Sequence, residues 1–319
     1  MSVLQDTELI KEMWRDITRR PIDNEPALLH ACRMDIEPFV YDSLNRRYGE
    51  ELQKWWDSKD CRIPLGGDST VVIVERRIHV NLRFILQNAA YYARGWSIAV
   101  ICSDDNRKFV EACCGSQVKN ITIIPHFKGF GTPEQGKTEY NTLLQTAEFW
   151  NMFTGTEVLM METDTYLTKK IPIFIRNYDY VASKWPWAPN APGGGGLSYR
   201  KLAMMKHVCS QNLTIQKAQD CFISDAVIRY NYKTPTYEES YKYFGEFDFA
   251  PTMCGTHQWW TGIRSLTPEK IIQWLTCEYV IPNSLFLADS DSEDEGKPMT
   301  PGSPTKKTRL DHIDVGRGY

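Results

Sequence analysis

The amino-acid sequence predicts an α/β fold with a mostly parallel central sheet and helices on both faces. Four short apolar runs read as strands: VVIVE (71–75), SIAVICS (97–103), NITIIP (120–125) and EVLMMETD (157–164). Segments with apolar residues at helical spacing separate them. Strand-helix alternation of this kind requires crossovers that cover a parallel sheet on both sides.

In chain order, VVIVE is rich in β-branched residues and is followed by a helical pattern through Leu82, Ile85, Leu86 and Ala89. SIAVICS is the next strand, and Asp104 is placed to cap a helix that runs to Cys114. NITIIP precedes a helix over TEYNTLLQTAEFW (138–150), and EVLMMETD ends in acid. Sheets of this type bind ligands at the carboxyl ends of their strands, so residues placed there are read first for function.

The flanks differ in character. Residues 1–66 read as a helical extension: IEPFVYDSLNRRYGEELQKWW (36–56) has helical spacing, and Pro64 and Gly66-Gly67 close the zone. The α/β domain is expected over 67–287. Residues 288–319 are acidic, then rich in Pro, Ser and Thr, with few large apolar groups, and are expected to be disordered.

Of the 319 residues, 42% are apolar and 24% charged, the balance of an ordinary globular chain. A net charge of -3 gives no reason to expect nucleic acid as a partner. No apolar stretch reaches the roughly 18 residues of a membrane span, and the start, MSVLQDTELIKEMW, has no signal-peptide core. Nine scattered cysteines without a CxxC form neither a disulfide framework nor a zinc pattern, so a reducing, cytoplasmic setting is expected. Ten Trp and sixteen Tyr offer more flat apolar surface than a core alone needs.

Several strings carry possible chemistry. Glu162-Thr163-Asp164, at a strand end, sets two carboxylates on one side of an extended chain, an arrangement that suits a divalent cation. His257, in GTHQWW (255–260), offers an imidazole ligand far along the chain. Gly193 to Gly196 remove four side chains in a row, and a helix over KLAMMKHVC follows, so backbone N–H groups there could face an anion. Ser224-Asp225 reads as a helix start, where a carboxylate could act as general base. Trp185, Trp187, Trp259 and Trp260 flank these strings and suit sugar rings. Each string also has a plain reading: an acidic turn, a hydrogen-bonded histidine, a flexible glycine turn, a helix-dipole acid and core tryptophans.

Taken in order, these features resemble GT-A glycosyltransferases. More closely, the sequence resembles a GT-A-like family of giant viruses and microbes catalogued as a domain of unknown function. The resemblance covers about 70 to 260 and rests on VIVERR (72–77), Gly95-Trp96, Asn106, Tyr140-Asn141, Phe149-Trp150, ETDTYL (162–167), YDYVASKWPW (178–187), GGGGLSYR (193–200), SDAVI (224–228) and GTHQWW. It implies a GT-A fold and a metal-dependent enzyme, using Mn²⁺ or Mg²⁺, that moves a sugar from a nucleotide-sugar donor to a glycan, protein or small-molecule acceptor. It further implies Asp164 as main metal ligand with Glu162 and His257, Gly194 to Gly196 at the sugar, beside the Trp185 read above, Glu75 and Arg77 near the nucleotide, and Asp225 as base. The chain departs from the family pattern at Glu162, where Gln is usual, and at Ser224, where Glu is usual.

Two other readings stand beside this one. Ser224 favours a GT-A fold that binds without turnover. GTPEQGKT (131–138) matches the G-x-x-x-x-G-K-[ST] phosphate loop of NTPases and kinases, although PHFKGF separates it from the preceding strand.

Overall fold

A computed structural model of the chain describes residues 1–276 except 23–24, 212, 217, 247–248 and 266. The tail expected to be disordered, 288–319, lies outside the described residues. Contacts gather the described residues into one compact unit.

Two helices open the chain, α1 (Val3–Arg19) and α2 (Glu25–Trp56). Then β1 (Ser69–Val74), α3 (Leu82–Tyr92), β2 (Ser97–Ser103), α4 (Arg107–Cys114) and β3 (Thr122–Phe127) alternate as expected. The crossover to β4 (Glu157–Met161) is two helices rather than one, α5 (Pro133–Leu143) and α6 (Ala147–Asn151). Thr146 causes the break: its hydroxyl caps a new helix by accepting from Phe149 N. Beyond β4 come β5 (Thr165–Leu167), β6 (Tyr180–Ser183), β7 (Gly194–Lys201), α7 (Leu202–Ser210), α8 (Gln219–Arg229), α9 (Tyr237–Ser240), β8 (Phe244–Gly245), β9 (Gly255–His257) and α10 (Pro268–Leu275).

The main sheet has the order β3-β2-β1-β4-β7-β6. Its first four strands are parallel, and β7 runs antiparallel to both β4 and β6. β2 and β4 are buried along their whole length, and β1 along nearly all of it. That is why they read as continuous apolar runs rather than alternating ones. One face carries a core of Val72, Val158, Met160 and Tyr180 under Phe149, Trp150, Met205, Phe222 and Val227. A second, small sheet, β5-β9-β8, stands beyond the end of β4.

Two local expectations are corrected. Asp104 does not cap α4; Asn106 takes the cap position, and Asp104 pairs with Lys128 instead. The glycine run is not a loop before a helix. Gly194 to Gly196 open β7, with Gly193 just before it, and α7 begins only at Leu202. No described helix is long and apolar enough to cross a membrane, and all described cysteines are free thiols.

Asp6 of α1 holds the N-terminal helices together. It is 1% exposed and accepts from Ser43 Oγ at 2.6 Å, from Arg46 Nη2 at 3.0 Å and from Arg47 Nη2. Truncating one partner of a buried charge network leaves the others uncompensated. Asp6→Ala should lower unfolding free energy by about 2–4 kcal/mol in a urea titration; a change under about 0.5 kcal/mol would show that α1 contributes little to the fold.

Candidate metal centre

The strand order of the main sheet reverses between β1 and β4. Carboxyl ends flanking such a reversal splay apart and leave a crevice. Glu75 and Arg77 follow β1, and Glu162-Thr163-Asp164 follows β4, so both expected segments meet there. Glu162 N donates to Gly196 O at 2.9 Å, which ties the acidic turn to β7. The chain then enters β5, whose register with β9 sets Thr165 opposite His257. Gln258 N closes the arrangement by donating to Asp164 O at 2.9 Å.

Glu162, Asp164 and His257 therefore converge, with ligand atoms all within 4.8 Å of one another. His257 Nε2 lies 3.5 Å from Asp164 Oδ1 and 3.9 Å from Glu162 Oε2. Asp164 Oδ1 and His257 Nε2 are buried and have no hydrogen-bond partner. Orphaned buried groups of this kind are costly, and a shared cation would satisfy both. Two ligands at right angles on an ion about 2.1 Å away stand about 3 Å apart, close to the observed spacing. The residues fit a divalent cation.

The three groups set one another's charge. Burial works against the charge of Asp164, but His257 and Arg33 more than offset it and hold the carboxyl below its usual range. Burial and the Asp164 charge push Glu162 upward. Burial alone would lower the His257 pKa; Asp164 and Glu246 outweigh it and raise it well above 6.5. A cation bound here must displace the imidazolium proton, so its affinity rises with pH.

The glycines make room for this site. A Cβ on Gly196 would stand 2.6 Å from His257 Cε1 and 2.7 Å from Cδ2. One on Gly194 would meet Trp185 Nε1 at 3.1 Å and Glu246 Oε2 at 3.4 Å. Gly195 faces Arg200 and Gln219 instead, where a Cβ would stand 2.9 Å from Arg200 Nη2. Gly193 has φ +112, a backbone geometry that favours glycine. Trp185 thus belongs to the site. Its ring lies parallel to that of Trp187, with centroids 6.4 Å apart, and Trp187 is 68% exposed. Trp259 and Trp260 are fully buried core residues, so the expectation that they offer faces to a sugar does not hold.

Sequence reasoning missed several members. Tyr140 donates to Glu162 Oε1 at 2.6 Å, and Glu246 faces His257 Nδ1 at 3.4 Å. Tyr140 stands in the family pattern, but Glu246 follows no motif at all. The N-terminal extension also reaches the site, through residues spaced four apart on α2. Arg33 Nε and Nη2 donate to Gln258 Oε1 at 2.8 and 2.6 Å. Glu37 accepts from Asn81 Nδ2, which also donates to Thr163 O. Tyr41 OH donates to Thr165 O at 3.0 Å. Glu75 is 3% exposed and binds Arg77 through both carboxylate oxygens, and it also accepts from Thr163 Oγ1 at 2.9 Å. Asn106 Nδ2 donates to the carbonyls of Glu75 and Arg77, fixing this loop.

Asp225 is not where the sequence places it. α8 begins at Gln219, whose N–H is taken by Asn141 Oδ1, so the acid of the first turn is Asp220. Asp225 lies past that turn, exposed, with its carboxylate accepting from Gln216 Nε2 at 2.6 Å. The buried neighbour is Ser224, which donates to Gly193 O at 3.2 Å and so has a structural role. The GTPEQGKT string forms no phosphate loop. Pro133 begins α5 within it, and Thr132 and Gln135 satisfy each other as a capping box, consuming backbone N–H groups that a phosphate would need.

Two outcomes follow from this geometry. Gly196→Ala should displace the His257 ring and weaken Mn²⁺ binding by about 10- to 100-fold, as loss of ligand orientation does elsewhere; calorimetry giving parental affinity would dissociate His257 from the ion. Glu37 is the second case. Burial first, and the Asp164 charge next, raise its pKa from 4.5 to about 8, against Arg33 and Arg77; His79 Nε2 lies 3.8 Å away. A folded state that keeps this proton loses stability relative to the unfolded chain as pH rises from about 4.5 to about 8. With chelator present, Glu37→Gln should therefore gain about 2–4 kcal/mol over the parent across that window. A pH-independent difference in unfolding free energy would contradict the raised value.

No curated protein matches the chain. Residues 131–257, from a glycine before α5 to the histidine of the candidate centre, are similar to a family described as "Protein of unknown function (DUF5672)".

Proposed function

We propose that the chain is a metal-dependent glycosyltransferase of GT-A type, taking a sugar from a nucleotide-sugar donor to an acceptor hydroxyl. The observation that carries this reading is the convergence of Glu162, Asp164 and His257, with two orphaned buried atoms, at the β1/β4 crevice. Parallel sheets hold nucleotides at such a crevice. The mixed oxygen and nitrogen donors favour Mn²⁺ over Mg²⁺, which prefers oxygen alone. A divalent cation held there supplies neutralisation of charge on a leaving diphosphate.

The chain's own residues divide the remaining work. Tyr140 and Glu246 orient Glu162 and His257 from behind. Glu75, braced by Arg77 and Thr163, presents a fixed loop after β1 on the nucleotide side. Trp185 and the exposed Trp187, beside Gly194, offer indole faces to a sugar. The fold alone does not select the donor.

Asp164→Asn should abolish Mn²⁺-dependent binding of nucleoside diphosphates, read by thermal stabilisation, while the variant stays folded. His257→Ala should weaken it less, since a neutral ligand is lost rather than a charge. Asp225→Asn, on the exposed side of α8, serves as the control that leaves binding unchanged. Parental metal-dependent stabilisation in Asp164→Asn would overturn the assignment.

A further inference from the structure

The arginines near the crevice differ in how far their charge is already used. Arg77 is bound by both oxygens of Glu75. Arg76 pairs with Glu139 and lies over the Phe127 ring. Arg200 is fully buried beneath Gly195, between Trp150 and Tyr180. Arg33 is different. It is exposed, and among the described residues no carboxylate forms an ion pair with it. Its hydrogen-bond partner is the neutral amide oxygen of Gln258. Gln258 follows His257 in the chain and its N–H binds Asp164 O at 2.9 Å, so this hydrogen bond sets the guanidinium beside the candidate centre.

We propose that Arg33, on the N-terminal helix α2, binds the phosphate oxygens of a nucleoside diphosphate held at the Glu162–Asp164–His257 centre. The inference rests on the metal-dependent nucleotide reading above. A guanidinium is planar and presents paired donors that match two phosphate oxygens. A charged oxygen is a stronger acceptor than an amide oxygen, so a diphosphate arriving at the centre takes the guanidinium from Gln258. Gln258 itself holds a left-handed backbone, φ +36, and touches both Asp164 O and Glu246 Oε1. The guanidinium thus ties α2 to the residue after the histidine ligand, and diphosphate binding would exchange that tie for one to the ligand.

The experiment compares the full chain with Arg33→Gln, Arg33→Lys and Gln258→Asn by calorimetry. The probes are Mn²⁺ alone, then Mn²⁺ with the diphosphates of uridine, guanosine, cytidine and adenosine, and with the corresponding monophosphates. Arg33→Gln should leave affinity for Mn²⁺ alone undiminished and weaken diphosphate binding by about 10- to 100-fold, the worth of a charged hydrogen-bond pair. Arg33→Lys should recover part of this, and the monophosphates should lose less. Gln258→Asn, which tolerates the left-handed backbone, removes the amide contact but keeps the charge, and should retain diphosphate affinity relative to Mn²⁺ alone. An Arg33→Gln variant that binds diphosphate like the parent overturns the inference while leaving the parent's metal-dependent binding intact. Equal loss of Mn²⁺ and diphosphate affinity overturns it too, because Arg33 would then only position Gln258 and His257. A parent chain that binds none of the four diphosphates with Mn²⁺ removes this inference together with the reading it rests on.

Discussion

Three carboxylates, Glu162, Asp164 and Glu246, share one buried histidine, and most of the surrounding structure serves to make that possible. Buried charge needs partners at close range. His257 supplies one positive group among three acids. Tyr140 gives Glu162 a hydroxyl donor, and Gln258 gives Glu246 an amide donor. Asp164 Oδ1 and His257 Nε2 face each other at 3.5 Å as an ion pair, and neither has a hydrogen-bond partner. A protein that had only to be stable would have little reason to keep that pair, because breaking or burying it bare costs more than apolar packing would. The pair makes physical sense as a site whose last partner arrives from outside.

The same charge problem explains why the N-terminal helices are not an appendage. Arg33, Glu37 and Tyr41 recur at four-residue spacing on α2, so they line one face of the helix. Each turn meets a different piece of the centre: Gln258, then Asn81 with Thr163, then the Thr165 carbonyl. The similarity to a known family begins only at residue 131, so this wall of the site lies outside the matched range. Asp6 anchors α1 to α2 through Ser43, Arg46 and Arg47, on the stretch just beyond Tyr41. The contacts to the site and the anchor for α1 are carried by successive turns of a single continuous helix.

β1, β2 and β4 were legible because burial on both faces leaves an unbroken apolar run, and SIAVICS matches β2 residue for residue; β3, at the sheet edge, is mostly exposed or half-buried. The acidic strand end and the late histidine were legible as a pair, though the strand pairing that joins them was not. β5 and β9 are three residues each, too short for any period to register. Glu246 and Arg33 were invisible for a different reason: each is a lone charged residue whose role comes from a contact far away in sequence. Asp225 failed on a boundary. A helix start at Ser224-Asp225 lies too late, because α8 already begins at Gln219, and the exposed acid past its first turn then reads as a first-turn acid.

Glycine was the most misleading residue and, once placed, the most informative. Runs of glycine invite a phosphate-loop reading, because a bare backbone can approach an anion. Here the glycines admit side chains instead. Gly131, the first residue of the GTPEQGKT string, yields space to Arg76, whose Nη2 would stand 2.7 Å from an added Cβ. Gly194 yields to Trp185 and Gly196 to His257. The glycine run, the tryptophan before it and the histidine long after it looked like three separate motifs in the chain. Physically they are one feature: β7 gives up its side chains at the site so that an indole, an imidazole and the carboxylate between them can rest against its backbone. A methyl group on Gly196 would push the imidazole away from Asp164, and one on Gly194 would press on the indole and on Glu246. Gly194 and Gly196 are therefore as much a part of the candidate centre as the residues that face it.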